Sequence, residues 1–440
     1  MAISKPISIS TSLKSNWISQ QFSLGESDKP LLAELCELYV SRFVKTRNPS
    51  GMESTISCIL ANLIVTRRLS TTQYVGLYRD KSNSSFYDNF KLVKWNLKVC
   101  QNFLDLLEEM GAIEGNRGYV QWGRSLSSIY RLSLEKEELA NRIKACKPEV
   151  KRKGAEYVVL RPKKVKGETP RDRASKTKVF NNLQIKFKKQ FKEHKMLADD
   201  LFDLMHKASI TNKQGEELTA NHLCWIYTEN FDNHGRMYFN LQNMPSKDRK
   251  FIKINGEETV EIDYNNCSAH IMYAKNGHQL EGDAYPTSTE FTRKVSKKCF
   301  TVMCNVSSRH HAIQAVYNDL KMDGGNKSTP SSTRAAVAKA NTYLKKSIRL
   351  AVVALEEMHH LLMDAEEFGF YQKNGGQVMK IDSTFAMRVV QDFVDRGEVI
   401  IPIHDSFIVR KSLTDELRPV MIQSYQSVLG ADYTIGLTQE

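Results

Sequence analysis

Residues 399–409 read VIIPIHDSFIV. Two short apolar runs rich in β-branched residues, 399–403 and 407–409, are interrupted by His404, Asp405 and Ser406. Runs of that length and composition are strands bound for a core, and the polar break between them leaves room only for a tight turn. The segment predicts a hairpin gripped on both sides by buried strands, with a carboxylate at its tip. A solvated turn needs no such anchoring, so Asp405 is a candidate for chemistry.

At 440 residues the chain exceeds one ordinary core and predicts two or three folded units. With 41% apolar and 26% charged residues it reads as globular rather than disordered. The formal charge of +13 is unevenly spread: residues 142–195 hold 19 Lys and Arg against 5 Asp and Glu. A field of that sign and density suits nucleic acid, since each neutralised phosphate releases counterions. A solvated linker without a ligand is the alternative. Within this segment Lys163, Lys164, Lys188 and Lys189 are the candidate contacts. Eight cysteines without a CxxC pair argue against a zinc module or disulfide framework and suit a reducing cytosol. No apolar run reaches membrane-spanning length and the N-terminus lacks a signal core, so the expected location is cytoplasmic, with no membrane partner.

After a tail over 1–29, residues 30–140 read as helices followed by a small hairpin. Trp95, Val99, Phe103, Leu106, Leu107 and Met110 recur at helical spacing, Gly111 stops the helix, and a β-ribbon turns at Asn116, Arg117 and Gly118. A helix followed by a β-wing is the outline of winged-helix domains, which lay one helix in the major groove. An ordinary helical core with one hairpin fits as well. Residues 141–178, punctuated by Pro148, Pro162, Gly167 and Pro170, read as an exposed basic connection. From 179 a second domain opens with a helix on which Phe180, Leu183, Phe187 and Phe191 share a face. The predicted class is α+β.

Four stretches of this second domain concentrate functional side chains. FDNHGRMYFNLQNMP crowds polar and aromatic residues around Arg236. In FIKINGEETVEIDYNNCSAHI, Asn255 and Gly256 turn one strand into another that ends at Asp263. In PTSTEFTRKVSKKCFTVMCN, Thr287 and Glu290 read as a capping box, and Arg293 and Lys297 project from one helix face. The hairpin of Asp405 is the fourth. Two carboxylates on separate strand ends suit phosphoryl transfer, because Mg²⁺ takes oxygen ligands and is held by one or two carboxylates plus substrate phosphates. Two such ions about 4 Å apart activate the attacking oxygen and steady the leaving one. Arg293 with its planar fork and Lys297 as a point charge suit a triphosphate.

In order and local sequence these stretches, over roughly residues 225–415, resemble the polymerase domain of the single-subunit family: family A DNA polymerases and bacteriophage-type single-subunit RNA polymerases. VEIDYNNCSAHI is similar to their motif A, TRKVSKKCFTVMCN to motif B and IHDSFIV to motif C. GRMYFNLQNMP combines the GR-x-Y of the RNA enzymes with the NLQN-x-P of the DNA enzymes. The resemblance implies a right-hand fold over 179–440, with an antiparallel palm sheet and helical fingers. It implies a nucleotidyltransferase using two Mg²⁺ or Mn²⁺ ions, with nucleoside triphosphates, a DNA template and an RNA or DNA product as partners. Asp263 and Asp405 would ligate the metals, joined by the backbone carbonyl of Tyr264. His404 would meet the primer terminus and Arg236 the template–product duplex. Arg293 and Lys297 would hold phosphates, with Asp283 and Tyr285 lining the nucleotide pocket.

Where the DNA enzymes carry a sugar-excluding Glu five residues after the motif A Asp, this chain has Ser268. Its HDS tripeptide is the RNA-enzyme form of motif C. Both imply ribonucleotides, and the chain length leaves little room for promoter-melting elements, so a compact DNA-templated RNA polymerase or primase-like enzyme is expected. Asn305 departs from the family by replacing the motif B Tyr that stacks beneath the new base pair, although its amide is able to reach a 2′-OH or base edge. His270 replaces an Arg usual in the DNA enzymes. A DNA polymerase or template-independent transferase is the alternative. A reading from another class is a non-catalytic DNA-binding initiator or regulator with a decayed polymerase domain. Residues 1–200 show no exonuclease carboxylate set, so proofreading is not expected.

Overall fold

The segment around Asp405 folds as a hairpin in which two short strands meet through His404 and Asp405, with Ile403 and Ser406 as the closing pair. The structure is a computed structural model that describes residues 15–17, 19–77, 93–116, 120–121, 124–125, 128–134, 138–151, 157–163, 178–180, 188–322 and 331–439. Ile400, Ile401, Phe407, Ile408 and Val409 are at most 1% exposed, and each buried side chain of this kind contributes about 1.5–3 kcal/mol. Pro402 cannot donate to a ladder and is tolerated because its strand forms the edge of the sheet.

The N-terminal half packs helices α1 (Lys29–Phe43), α2 (Met52–Leu69), α3 (Leu97–Glu109) and α4 (Glu138–Ala145) around one core. Residues 55–66 of α2 are all buried, which makes it the hub. α3 starts where the Asn96 side chain accepts from the Val99 N–H, and it buries Val99, Phe103, Leu106 and Leu107 at the spacing read from sequence. Beside the helices lies a sheet in the order β1 (Ser15–Trp17), β3 (Tyr74–Leu77), β5 (Ser128–Leu132), β4 (Ile113–Asn116). β4 pairs with β5 rather than with the residues just past the expected turn, and Arg117 and Gly118 lie outside the described residues.

The tail and the basic connection differ from expectation. The tail contributes β1 and also β2 (Phe22–Leu24), which pairs with β6 (Pro148–Val150) from inside the supposed connection. Further along, β7 (Val158–Arg161) lies parallel to β9 (Cys224–Thr228) and antiparallel to β8 (Lys178–Phe180). Burial is the reason: Tyr157, Val158 and Val159 are buried, a short apolar stretch masked in composition by the Lys and Arg around it. Phe180 therefore belongs to a strand, and the helix begins later, as α5 (Lys188–Lys207). Leu183 and Phe187 lie outside the described residues.

In the second half, β10 (Asn230–Tyr238) completes one sheet in the order β8, β7, β9, β10. A six-stranded sheet sets β11 (Glu257–Tyr264) beside the hairpin strands, in the order β11, β13 (Ser406–Arg410), β12 (Ile401–Ile403). β14 (Leu437–Gln439) pairs along the other edge of β11. Helices α6 (Cys267–Lys275), α10 (Gly375–Asp395) and α11 (Thr414–Leu429) pack with one another at this sheet, while α7 (Arg293–Met303), α8 (Arg309–Leu320) and α9 (Ser331–Met358) form a separate group. No helix among the described residues is long and apolar enough to cross a membrane.

Candidate active site

Strand register decides where the two acids lie. Asp263 on β11 is opposite Ser406 on β13, so Asp405, one residue earlier, closes the turn beside the end of β11. The Tyr264 N–H donates to the Asp405 carbonyl across 3.3 Å. Both acids line one open cavity of about 710 Å³. Among the described residues, no hydrogen bond or ion pair reaches the Asp405 carboxylate. The Tyr264 ring is buried among Phe385, Phe407 and Tyr425, with its hydroxyl donating to the Met421 carbonyl at 2.6 Å. Tyr264 is nonetheless among the residues that line the cavity.

The turn itself is strained. His404 has φ +62°, a left-handed conformation that costs an L-residue roughly 1–2 kcal/mol. Such strain persists where the surroundings over-determine the backbone, as the buried strands do here. Ser406 braces the turn from within. Its hydroxyl donates to Glu261 at 2.7 Å, and Glu261 is itself gripped by both prongs of Arg249 at 2.8 Å. Ser406 is buried and does not line the cavity, so its position adds nothing to the ribonucleotide reading of HDS.

The facing wall is α7. Ser296, Cys299, Phe300 and Met303 bury one side of it, with Phe300 edge-on to Phe370 at 5.2 Å. Arg293, Lys297 and Thr301 are left along the cavity. Arg293, Lys294, Lys297 and Lys298 crowd the first two turns, and no acid offsets them in the first. Cations at a helix N-terminus oppose its dipole by about 0.3–1 kcal/mol each, so an anion bound there relieves them. Asp283 holds Arg293 by two hydrogen bonds of 2.6 and 2.8 Å, and Arg293 also donates to Asn266 at 3.0 Å. The pairing lowers the Asp283 carboxyl and raises the Arg293 guanidinium from their ordinary values. Tyr285 lies beneath, its ring centroid 4.9 Å from the Arg293 guanidinium carbon, and burial pushes its phenol upward.

Ser268, half-buried in the first turn of α6, faces the cavity between the two walls. The capping box does not form. Thr292 is the N-cap residue of α7, the Glu290 N–H bonds to the Ser288 hydroxyl, and the Glu290 carboxylate takes Lys346 at 3.2 Å. The helix starts five residues too late for Thr287 and Glu290 to cap it.

Other sequence candidates lie elsewhere. Asn305 is off the cavity lining: its amide donates to the Thr301 carbonyl at 2.8 Å, and it fits so closely against Gly375 that a Cβ there would come within 2.2 Å of it. Arg236 is also off the lining, paired with Asp382 of α10 at 3.0 and 3.1 Å. Burial raises the Asp382 carboxyl to about 6 against the pull of Arg236, with Asp405 adding to the rise. Burial opposes the Arg236 charge, but Asp382 and then Asp405 outweigh it. Burial and Arg236 together lower His404 to about 4, leaving it neutral at pH 7; it lines a different cleft from Asp405. Lys163 pairs with Glu229 at 3.4 Å. Lys164 and the side chains of Lys188 and Lys189 lie outside the described residues.

Asp382, Arg249 and Glu261 are the supports that sequence reasoning missed. Asp382 left a signal, a lone acid on a helix face otherwise made of Val378, Phe385, Ala386 and Val389. Gly436 and Thr438, which the C-terminal strand brings to the cavity, left none. The donor set suits a hard cation. No group of three or more His, Cys, Asp or Glu disposed for a metal occurs among the described residues, whereas Mg²⁺ keeps much of its shell as water and substrate phosphate.

No protein-family model and no curated protein matches the sequence. Among solved structures it aligns with the POL domain of Pol1 from M. smegmatis, in complex with DNA primer-template and dNTP. The identity is 13%, the alignment covers 57% of this chain and 51% of that one, and the TM-score is 0.24. The chain thus spans about half the length of that structure, and at that score the superposition assigns no residue a role.

Proposed function

We propose that this protein is a divalent-metal-dependent nucleotidyltransferase that joins ribonucleoside triphosphates to the 3′ end of a nucleic acid, in the manner of a compact RNA polymerase or primase. The observation that carries the reading is one cavity with two acids on paired strand ends and, along its other wall, Arg293 and Lys297 on a cation-rich helix start. Asp263, Asp405 and the Tyr264 carbonyl hold the metal, Mg²⁺ or Mn²⁺ as two ions, which when bound activates the attacking oxygen and steadies the leaving one. Arg293 and Lys297 draw the triphosphate, with Asp283 keeping the Arg293 fork aligned until phosphate replaces it. Phosphoryl transfer depends largely on positioning, and the strands beneath Asp405 supply it.

The test is synthesis on a labelled primer, and unprimed synthesis on single-stranded DNA, with NTPs or dNTPs and either metal. The wild type makes product with NTPs. If no condition yields product while DNA is still bound, the enzyme reading falls. A second expectation concerns the sugar. Ser268→Glu adds bulk and charge between the cavity walls and lowers NTP incorporation relative to dNTP by at least about tenfold. An unchanged ratio removes Ser268 from sugar selection. The basic segment carries a third. DNA affinity falls by about a thousandfold between roughly 50 and 200 mM salt if six phosphates are met. A salt-insensitive affinity shows that the positive charge is not the contact.

A further inference from the structure

Asp283 and Tyr285 reach the cavity from a stretch, residues 276–292, that forms neither helix nor strand. No ladder fixes such a stretch, so its place depends on the side chains that reach its main chain. Ala284, between the two, is fully buried, and its carbonyl accepts from His359 Nε2 at 2.8 Å. His359 follows directly on α9 and is itself 0% exposed. Farther along the stretch, the Ser296 hydroxyl of α7 donates to the Pro286 carbonyl at 2.5 Å, and Lys346 of α9 pairs with Glu290 at 3.2 Å.

The partners fix the state of this imidazole. A carbonyl only accepts, so Nε2 carries the proton, and Nδ1 is left to accept from the Tyr273 hydroxyl at 2.9 Å. Burial lowers the ring from its ordinary value, against the pull of the Ala284 carbonyl, and so keeps it neutral at pH 7. Tyr273, Phe300 and Phe370 pack edge-on around it, with centroids at 5.7, 5.4 and 6.0 Å. Phe300 also meets Tyr285 edge-on at 5.7 Å. His359 therefore joins α6, α7, the end of α9 and the irregular stretch at one point, without lining the cavity itself.

We propose that His359 is a positioning residue for the triphosphate clamp: its hold on the Ala284 carbonyl sets Asp283 and Tyr285, and through Asp283 the Arg293 fork. The proposal rests on the phosphate-binding role given above to Arg293. Asp283 grips Arg293 by two hydrogen bonds, and Tyr285 lies against the same guanidinium. Both flank Ala284, so a shift of its carbonyl moves them together. A misplacement of about 1 Å is enough to weaken a positioned charge. The task needs a donor and an acceptor on opposite sides of one rigid frame, which a neutral imidazole supplies. A glutamine amide places a donor near Nε2. An asparagine amide, one methylene shorter, ends near Nδ1 and leaves Ala284 unanswered.

The full chain is titrated calorimetrically with ATP and Mg²⁺ in the absence of nucleic acid, and NTP incorporation is followed on a labelled primer. His359→Asn weakens ATP binding by about fivefold or more. It raises the KM for NTP to match while kcat stays within about twofold, the mark of lost ground-state binding. His359→Gln binds as the wild type. In an Asp283→Ala background His359→Asn has no further effect, because the clamp it aligns is already gone. Should His359→Asn fail to fold, His359→Phe, which keeps the ring packing and loses both hydrogen bonds, takes its place. The proposal is overturned if that variant binds ATP as the wild type does, or if His359→Gln loses as much. It is equally overturned if the losses from the His359 and Asp283 variants simply add, as independent packing defects do. ATP binding needs no catalysis, so binding without product sinks only the enzyme reading. Product with unchanged ATP binding in the His359 variant sinks only this one, and a wild type that binds no ATP sinks both.

Discussion

Asp263→Asn and Asp405→Asn each lower nucleotidyl transfer by at least about a hundredfold and leave the fold intact. Asparagine keeps the shape of the acid and removes the charge that a hard cation requires. For Asp405 the structural cost is small, because among the described residues its carboxylate takes part in no ion pair or hydrogen bond. Its removal even relieves the repulsion it exerts on Asp382. The measurement is primer extension alongside thermal unfolding. Full activity in either variant shows that the acids are not the metal site, and a collapsed melting temperature shows that they serve the fold instead.

Asp382→Ala strips Arg236 of its buried partner and destabilises the protein by about 3–5 kcal/mol, the effect of leaving one member of a buried pair uncompensated. Arg236 is already close enough to Asp405 for the two charges to interact. Without Asp382 its strongest remaining attraction is to that acid, where it competes with the metal. The Mg²⁺ concentration for half-maximal activity therefore rises by about tenfold or more, which a purely structural role does not produce. Denaturant unfolding reads the first effect and a metal titration the second. Replacing both partners, Asp382→Leu with Arg236→Met, recovers most of the stability. If Asp382→Ala changes neither stability nor the metal requirement, the pair supports nothing at the turn.

Much of this architecture is written locally. The hairpin at Asp405 and helix α3 are legible because alternation and helical spacing are properties of neighbours along the chain, and burial follows them. Helix α7 is legible for the same reason: Arg293 and Lys297, four apart, share a stripe whichever way the helix is docked. The capping box failed because a five-residue shift in where the helix starts undoes a cap, and spacing did not locate that start. The basic connection failed because composition averages over Tyr157, Val158 and Val159, whereas a sheet pairs those residues one at a time.

The sequence by itself determined the strands, the helix faces and the residue types available for chemistry: two acids at strand ends, a cation stripe, a carboxylate in a tight turn. Only the tertiary structure decided which of them meet. The register of β11 against β13 sets Asp263 beside the turn of Asp405 and turns Ser406 inward to Glu261, while the packing of α10 on β10 pairs Arg236 with an acid 146 residues away. The left-handed turn at His404 divides it from Asp405 between two clefts, one of them lined in part by the N-terminal half. The physical reason is that side-chain periodicity needs only the chain's own geometry, while a contact across a hundred residues depends on register and on the burial of everything between.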